Sequence, residues 1–201
     1  MSKSDIRKEL ISIRNTLANK NALSETINLK VIKFISTIGN KPPRVDSQST
    51  PSQCDGDFVC QLKIASFLSI PNEINTSLIN SVFKVYLPIV HPTLKHGLWF
   101  VKDNKNYYKN KYKINEPIYK PTDVIAPWEL DIIIVPIVGF TDTKYRMGMG
   151  GGFYDYSLKF KKHTKEPITI GIAFDEQQNN GIIIDRYDIQ LDTIITPTRT
   201  L

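Results

Sequence analysis

The run Ile132-Ile133-Ile134-Val135, extended past Pro136 by Ile137 and Val138, constrains the fold more than any other stretch of this chain. It is too short to cross a bilayer, which takes roughly 20 residues, and too evenly apolar for a strand with one wet face. A strand buried on both faces inside a parallel sheet fits it. The chain then turns through Gly139 to Lys144 and meets Arg146, Gly148, Gly150, Gly151 and Gly152. Glycines at this density are costly in regular structure, because each loses much backbone entropy on folding. They suit a place where bare N–H groups approach a ligand. At a helix start that ligand is usually an anion, since the first N–H groups lack partners and the helix dipole is positive there. Arg146 adds a planar cationic fork suited to phosphate. The plain alternative is a glycine-rich turn with a surface arginine. Two phosphate fingerprints do not fit. Phe153 stands where a dinucleotide fold carries its third glycine, and no Lys-Ser or Lys-Thr follows the glycines as in a P-loop.

The flanking segments give the fold class. Strand-like stretches near 64, 83, 131, 168 and 192 alternate with helix-like stretches near 24, 73 and 153. That alternation predicts a three-layer α/β fold with a mainly parallel sheet. At 201 residues one domain is expected. Residues 3–19 read as a helix whose apolar stripe is Ile6, Leu10, Ile13 and Leu17. Lys3, Arg7 and Arg14 fall together about 60° round from that stripe. Such a row is most often a solvated basic face. A second helix spans 24–38, with Ser24 as N-cap and Gly39 as its end. Residues 39–57, rich in proline and small polar residues, read as a loop or flexible insertion within the domain.

Residues 62–70 read as a strand, followed by Glu73 and a helix through Ile74, Leu78, Ile79 and Val82. A carboxylate just past the C-terminal end of a strand lies where open α/β sheets place ligand contacts, although a solvated first-turn glutamate is the commoner case. Residues 83–90 form another strand. Lysines 102, 105, 109, 111, 113 and 120 interleave with Tyr107, Tyr108, Tyr112 and Tyr119. This alternation suits a hairpin with a wet lysine face, or less often a single-strand nucleic-acid surface. Tyr154 to His163 continues as a helix with Phe153, Tyr156 (or Ser157) and Phe160 turned inward and Asp155 in its first turn.

Charge and cysteines narrow the class. The net charge of +6 permits nucleic acid and equally an anionic small substrate. Cys54, Cys60 and the scattered His91, His96 and His163 have no zinc spacing, and two free thiols are expected. The polar start MSKSDIRKEL lacks the apolar core of a signal peptide, so a cytoplasmic protein without membrane contact is expected.

The segment RMGMGGGFYD resembles the nucleotide-binding signature of the 5-formyltetrahydrofolate cyclo-ligases, or methenyltetrahydrofolate synthetases, written R-L-G-x-G-G-G-Y-Y-D. DIIIVPIVGF is similar to that family's D-L-I-L-V-P-G-V-A-F, and FLSIPNEINT to its F-L-S-x-x-x-E-I-x-T. The resemblance covers nearly all of the chain except 39–57. It implies a three-layer fold of the NagB/RpiA/CoA-transferase-like type. It also implies a monomer that uses ATP and Mg²⁺ to cyclise 5-formyltetrahydrofolate, with or without a polyglutamate tail, to the 5,10-methenyl form.

Residue by residue, the resemblance assigns ATP binding to Lys3 and Arg7, the family's K-x-x-x-R for the phosphates, and to Arg146, Met147, Gly148, Met149, Gly150, Gly151, Gly152, Phe153 and Tyr154. Arg146 is the catalytic candidate. Leu68, Glu73 and Tyr112 would meet the folate, and Asp155 and Asp188 would hold magnesium. Ile137, Gly139 and Thr141 depart from the family's Gly, Ala and Asp, with Asp142 beside Thr141 as the residue that would take the aspartate's role. The alternative from another class is a non-catalytic member that binds nucleotide or single-stranded nucleic acid on the same scaffold.

Overall fold

The isoleucine run becomes the strand Ile132–Pro136, and its first four residues are inaccessible to solvent. Residues 2–39 and 62–201 are described by the computed structural model. In chain order they form α1 (Lys3–Thr16), α2 (Lys20–Gly39), β1 (Ile64–Ala65), α3 (Ser77–Val82), β2 (Val85–Val90), β3 (Leu98–Lys102), β4 (Tyr107–Lys109) and β5 (Asn115–Pro117). β6 (Val124–Ile125), β7 (Ile132–Pro136), β8 (Gly139–Phe140), β9 (Arg146–Met147), α4 (Phe153–Ser157), β10 (Ile168–Ile172) and β11 (Thr193–Ile195) follow. The main sheet has the order β11-β10-β7-β1-β2-β3-β6. Its strands from β11 to β2 are parallel, and β3 and β6 add an antiparallel edge. β4–β5 and β8–β9 are separate antiparallel pairs. Cys54, Cys60 and the insertion expected over 39–57, apart from Gly39, lie outside the described residues.

β7 shows why the run is continuous. Ile132 and Ile134 pack on one face with Ile27, Val31 and Ile35 of α2 and Ile79 of α3. Ile133 and Val135 pack on the other with Leu158, Ile189 and Leu191. Successive side chains leave a strand on opposite faces, so a sheet covered on both sides needs apolar residues at every position. Helix α1 stands apart from these layers. Its Ile6 and Leu10 pack on Val138, Met147 and Ile182, against the β8–β9 pair. A Cβ at Gly139 would come within 2.3 Å of Leu10 Cδ1, so the glycine that departs from the family's alanine admits α1 closely. No described helix is long and apolar enough to cross a membrane.

Three local expectations change. α2 begins at Lys20, so Ser24 is not its cap. It is buried inside the helix and its hydroxyl accepts from the Asn75 N–H at 3.2 Å. The strand expected over 62–70 is laddered only at Ile64–Ala65. Past it, the Phe67 carbonyl is taken by Thr76 Oγ1 at 2.7 Å and Asn80 Nδ2 at 3.0 Å, so side chains replace the neighbouring strand. The helix expected over 154–163 is α-helical only for Phe153–Ser157 and then tightens into a 3-10 turn at Lys159–Lys162. Leu158 and Phe160 both turn toward the core there, a spacing of two that an α-helix cannot bury on one face.

Candidate active site

A cavity of about 640 Å³ opens past the C-terminal ends of β1, β2 and β7. Open α/β sheets bind ligands in this place, because the loops leaving adjacent parallel strands diverge there. Every residue singled out for a site lines it: Lys3, Arg7, Leu68, Glu73, Tyr112, Arg146 through Asp155, and Asp188. Met147 is the partial exception, since its side chain is buried against α1. Thr141 and Asp142 are not among the lining residues. Thr141 is buried and its hydroxyl meets Thr143 Oγ1 at 2.9 Å, while the Asp142 N–H and Oδ2 are held by Asn180. Neither is positioned to replace an aspartate in the cavity.

One side of the cavity is charged. Arg146 is buried, and its Nη1 donates to Asp155 Oδ1 at 2.9 Å and to the Ile189 carbonyl at 3.3 Å. The Ile189 N–H donates to the same Asp155 oxygen at 3.2 Å, which draws the 185–189 turn toward α4. Lys3 Nζ lies 2.8 Å from both Asp185 Oδ2 and Asp188 Oδ2. Partial burial opposes its charge, but the hydrogen bonds to these carboxylates outweigh that and hold the ammonium above the usual lysine pKa. Arg7 Nε donates to the Gly148 carbonyl at 2.9 Å. Its guanidinium lies in ordinary contact distance, 3.4 Å, of where a Cβ on Gly150 would stand, and the φ of +96° at Gly150 is what favours glycine there. Among the described residues, the N–H groups of Gly148 to Gly152 have no hydrogen-bond acceptor inside the protein. α4 is too short for much of a helix dipole. The loop N–H groups and the three cations, rather than the helix, give this side its positive character.

The other side is a buried carboxylate. Glu73 Oε2 accepts from the Ile70 N–H at 3.1 Å, and Oε1 lies 3.6 Å from Arg14 Nη1. Burial pushes the Glu73 carboxyl above its usual range, against the Ile70 hydrogen bond and the Arg14 charge. Arg14, placed by the sequence on a wet basic face, is 3% exposed. Tyr154 connects the two sides, since its hydroxyl feels the charges of both Glu73 and Arg146, and burial raises its pKa strongly. Its ring centroid lies 5.8 Å from the Arg146 guanidinium carbon.

The hairpin β4–β5 forms a wall. Tyr112 at its tip meets Phe153 edge-on, with ring centroids 5.7 Å apart. Glu116, 4% exposed, accepts from the Val90 N–H at 3.0 Å, Tyr108 OH at 2.7 Å and Asn110 Nδ2 at 2.6 Å. β1 is too short to reach Val90, so this carboxylate satisfies the free edge of β2 and ties the hairpin to the sheet. The same bond pushes the Tyr108 hydroxyl up to about 12. With Tyr107 OH likewise bound to Asp103, two of the four tyrosines are committed to the hairpin rather than open to bases. Glu116, Arg14 and Asp185 were not singled out as site residues. Glu116 lies 26 residues from Val90, and only the docking of the hairpin on β2 brings the two together. Asp185 precedes Asp188 by one turn, and only the fold brings it to Lys3.

Among the described residues no three His, Cys, Asp or Glu side chains converge as a metal site. Magnesium keeps several waters and commonly takes one or two carboxylates plus phosphate oxygens. Asp155 Oδ2 and Asp188 Oδ1 accept no hydrogen bond from a described residue, so the donor set fits an ion completed by phosphate and water.

Comparison with known proteins agrees with this architecture. Residues 59–197 match the model of the 5-formyltetrahydrofolate cyclo-ligase family. The 5-formyltetrahydrofolate cyclo-ligase of Escherichia coli K12 is 35% identical over 143 residues, covering 68% of this chain and 78% of that protein. The cyclo-ligase of Mycoplasma pneumoniae is 27% identical over 201 residues, covering 97% of this chain and 98% of that protein. The solved 5,10-methenyltetrahydrofolate synthetase of M. pneumoniae superposes with a TM-score of 0.68 at 23% identity, over 98% of this chain and 99% of the other. That of Aquifex aeolicus gives 0.70 at 23% identity, over 100% and 92%. The two structures establish the shared fold. With the family's pattern running from β1 through β11, the chain belongs to the 5-formyltetrahydrofolate cyclo-ligase family.

Proposed function

We propose that the protein is a 5-formyltetrahydrofolate cyclo-ligase that uses ATP and magnesium to form 5,10-methenyltetrahydrofolate, ADP and phosphate. A formamide oxygen is a poor leaving group, so ring closure first needs that oxygen phosphorylated. The formyl oxygen attacks the γ-phosphorus and the bond to ADP breaks. N10 then attacks the formyl carbon, the C–O bond breaks with release of phosphate, and the N10 proton is lost. Positioning and charge neutralisation carry such a transfer, and no protein nucleophile is needed.

In this reading Lys3, Arg7, Arg146 and the backbone of Met147 to Tyr154 hold and neutralise the triphosphate. Arg146, with Nη1 anchored by Asp155 and Ile189, faces the transferring group. Asp155 and Asp188 would hold the magnesium, whose charge would offset that of the phosphates. Glu73 accepts hydrogen bonds from the pterin between Leu68 and Tyr112. The observation that carries the reading is the meeting, round one cavity, of three cations and five unpartnered N–H groups with a buried carboxylate. The proposal extends to a single-domain monomer of the cytoplasm. Sedimentation and cell fractionation test those points. Family membership favours the enzyme over a non-catalytic binding member.

The direct test is the methenyl chromophore from purified protein, 5-formyltetrahydrofolate and MgATP. Appearance that requires both ATP and magnesium is expected. Folded protein that binds ATP and forms no product under any of these conditions would overturn the proposal.

A further inference from the structure

Arg14 has no role in the function proposed above, yet its guanidinium is almost wholly withdrawn from water beside the cavity. Its side chain is 4% exposed and, among the described residues, its Nε has no hydrogen-bond partner and its ion-pair partner is Glu73, 3.6 Å away. Burying a guanidinium costs several kcal/mol unless a partner is at hand. A helix stripe that merely packs would carry leucine here, as it does at Leu10 and Leu17. The partner is the carboxylate that lines the cavity.

The geometry points to Arg14 as a positioning residue that keeps Glu73 charged and turned to the cavity, able to accept two N–H groups of a pterin. This deepens the proposed function and rests on its assignment of Glu73. The two carboxylate oxygens are treated differently. Oε2 is fixed by the Ile70 N–H and Oε1 by the longer contact to Arg14, which leaves both with lone pairs for a ligand. A pterin offers N–H donors, and only the carboxylate, not the carboxylic acid, can accept from two at once. Burial favours the acid, and Arg14 favours the carboxylate. The groups facing Glu73 are few: Arg14 from α1, Tyr154 from α4 with Arg146 beyond its ring, and the Ile70 N–H on its own turn. Lys20, at the start of α2, is held away by the carbonyls of Arg14 and Asn15 and by Asn72 Oδ1.

The sign follows. Removing Arg14 raises the Glu73 pKa further, so folate affinity is lost at a higher pH as the solution is acidified. KM for 5-formyltetrahydrofolate and for ATP would be measured from about pH 5.5 to 8.5 in wild type, Arg14→Lys, Arg14→Met, Glu73→Gln and the double variant Arg14→Met/Glu73→Gln. Arg14→Met is expected to raise the folate KM severalfold at the acid end and to move the acid limb to higher pH. The ATP KM stays within about twofold, Arg14→Lys restores most of the acid limb, and Arg14→Met adds nothing in the Glu73→Gln background.

An unchanged folate KM and acid limb in Arg14→Met overturn the inference, as does an equal loss with and without Glu73. A parallel rise in the ATP KM also overturns it, because that marks general loosening. If Arg14→Met does not fold, Arg14→Gln, which keeps a polar side chain and removes the charge, decides. A raised folate KM with an unchanged ATP KM supports the role, and wild-type values for both overturn it. If Glu73→Gln leaves the folate KM untouched, the assignment of Glu73 itself fails. If Glu73→Gln raises it and the Arg14 variants do not, only the role of Arg14 fails.

Discussion

The two ends of α1 carry opposite kinds of ion pair. At its start Lys3 meets Asp185 and Asp188 at 2.8 Å, with side chains 26%, 57% and 13% exposed. Near its end Arg14 meets Glu73 at 3.6 Å, with side chains 4% and 10% exposed. By distance the first looks stronger, but water decides otherwise. Exposed pairs are worth about 0–1 kcal/mol, because solvent solvates either partner alone. Losing one partner of a buried pair costs about 3–5 kcal/mol, because the other charge is stranded. The Lys3–Asp185 pair, whose carboxylate is open to water, is therefore the exchangeable one, and on the proposed function an incoming phosphate would take that carboxylate's place on Lys3. The long pair is a fixture of the fold.

This contrast can be broken by measurement. The largest expected effect is on stability. Arg14→Met should cost about 3–5 kcal/mol in urea unfolding, while Lys3→Met costs about 1 kcal/mol or less. Equal costs would erase the distinction. At the exchangeable end the loss should fall on turnover instead. Arg146→Ala is expected to lower kcat roughly 10²–10³-fold, the usual cost of one donor to transition-state charge, as read by the methenyl chromophore.

The hairpin wall is intermediate. Glu116→Ala strands the Val90 N–H and should cost about 1–3 kcal/mol, with a raised folate KM. Glu116→Gln, which can keep all three contacts by reversing the one to Tyr108, should recover most of both. Smaller still is a pH effect on stability. Because the folded Glu73 pKa lies above its unfolded value, ionising the group costs more in the fold. The stability of wild type relative to Glu73→Gln should therefore be greatest below the unfolded carboxyl pKa and fall as pH rises through the folded one. A flat difference would mean that Arg14 fully offsets burial. The smallest effect is expected from Lys109, Lys111 and Lys113, exposed on the hairpin. Replacing all three with glutamine should change kcat less than about twofold. A larger loss, with salt-steep binding of single-stranded nucleic acid, would move the site to that face.

β7 was legible because a doubly covered strand writes its burial into every residue. β1 was not, because the end of its ladder depends on Thr76 and Asn80 taking the Phe67 carbonyl, a matter of tertiary geometry. Sequence placed Lys3, Arg7 and Arg14 on one helical face, and Arg7 and Arg14 are seven residues apart, within about 20° of each other round the axis. Yet Arg7 meets the glycine loop and Arg14 the 70–73 turn. Helical periodicity gives azimuth and says nothing of what stands opposite each turn. Asp185 and Glu116 escaped for the same reason, since their importance lies in partners 182 and 26 residues away. The cavity's other residues were found from a motif, which records chemistry and geometry together.

Helix α1 reaches from the charged side of the cavity to the buried one, about 16 Å along its axis from Lys3 to Arg14. It is one unbroken helix, seated through Ile6 and Leu10. Anything that pulls its first turn toward a phosphate also sets the register of Arg14 against Glu73. The two ligands would then share a single mechanical link, and linkage makes the effect mutual. By whatever factor nucleotide tightens folate, folate tightens nucleotide. On the proposed function, helix α1 would be a strut through which each half of the reaction reports to the other that it is loaded.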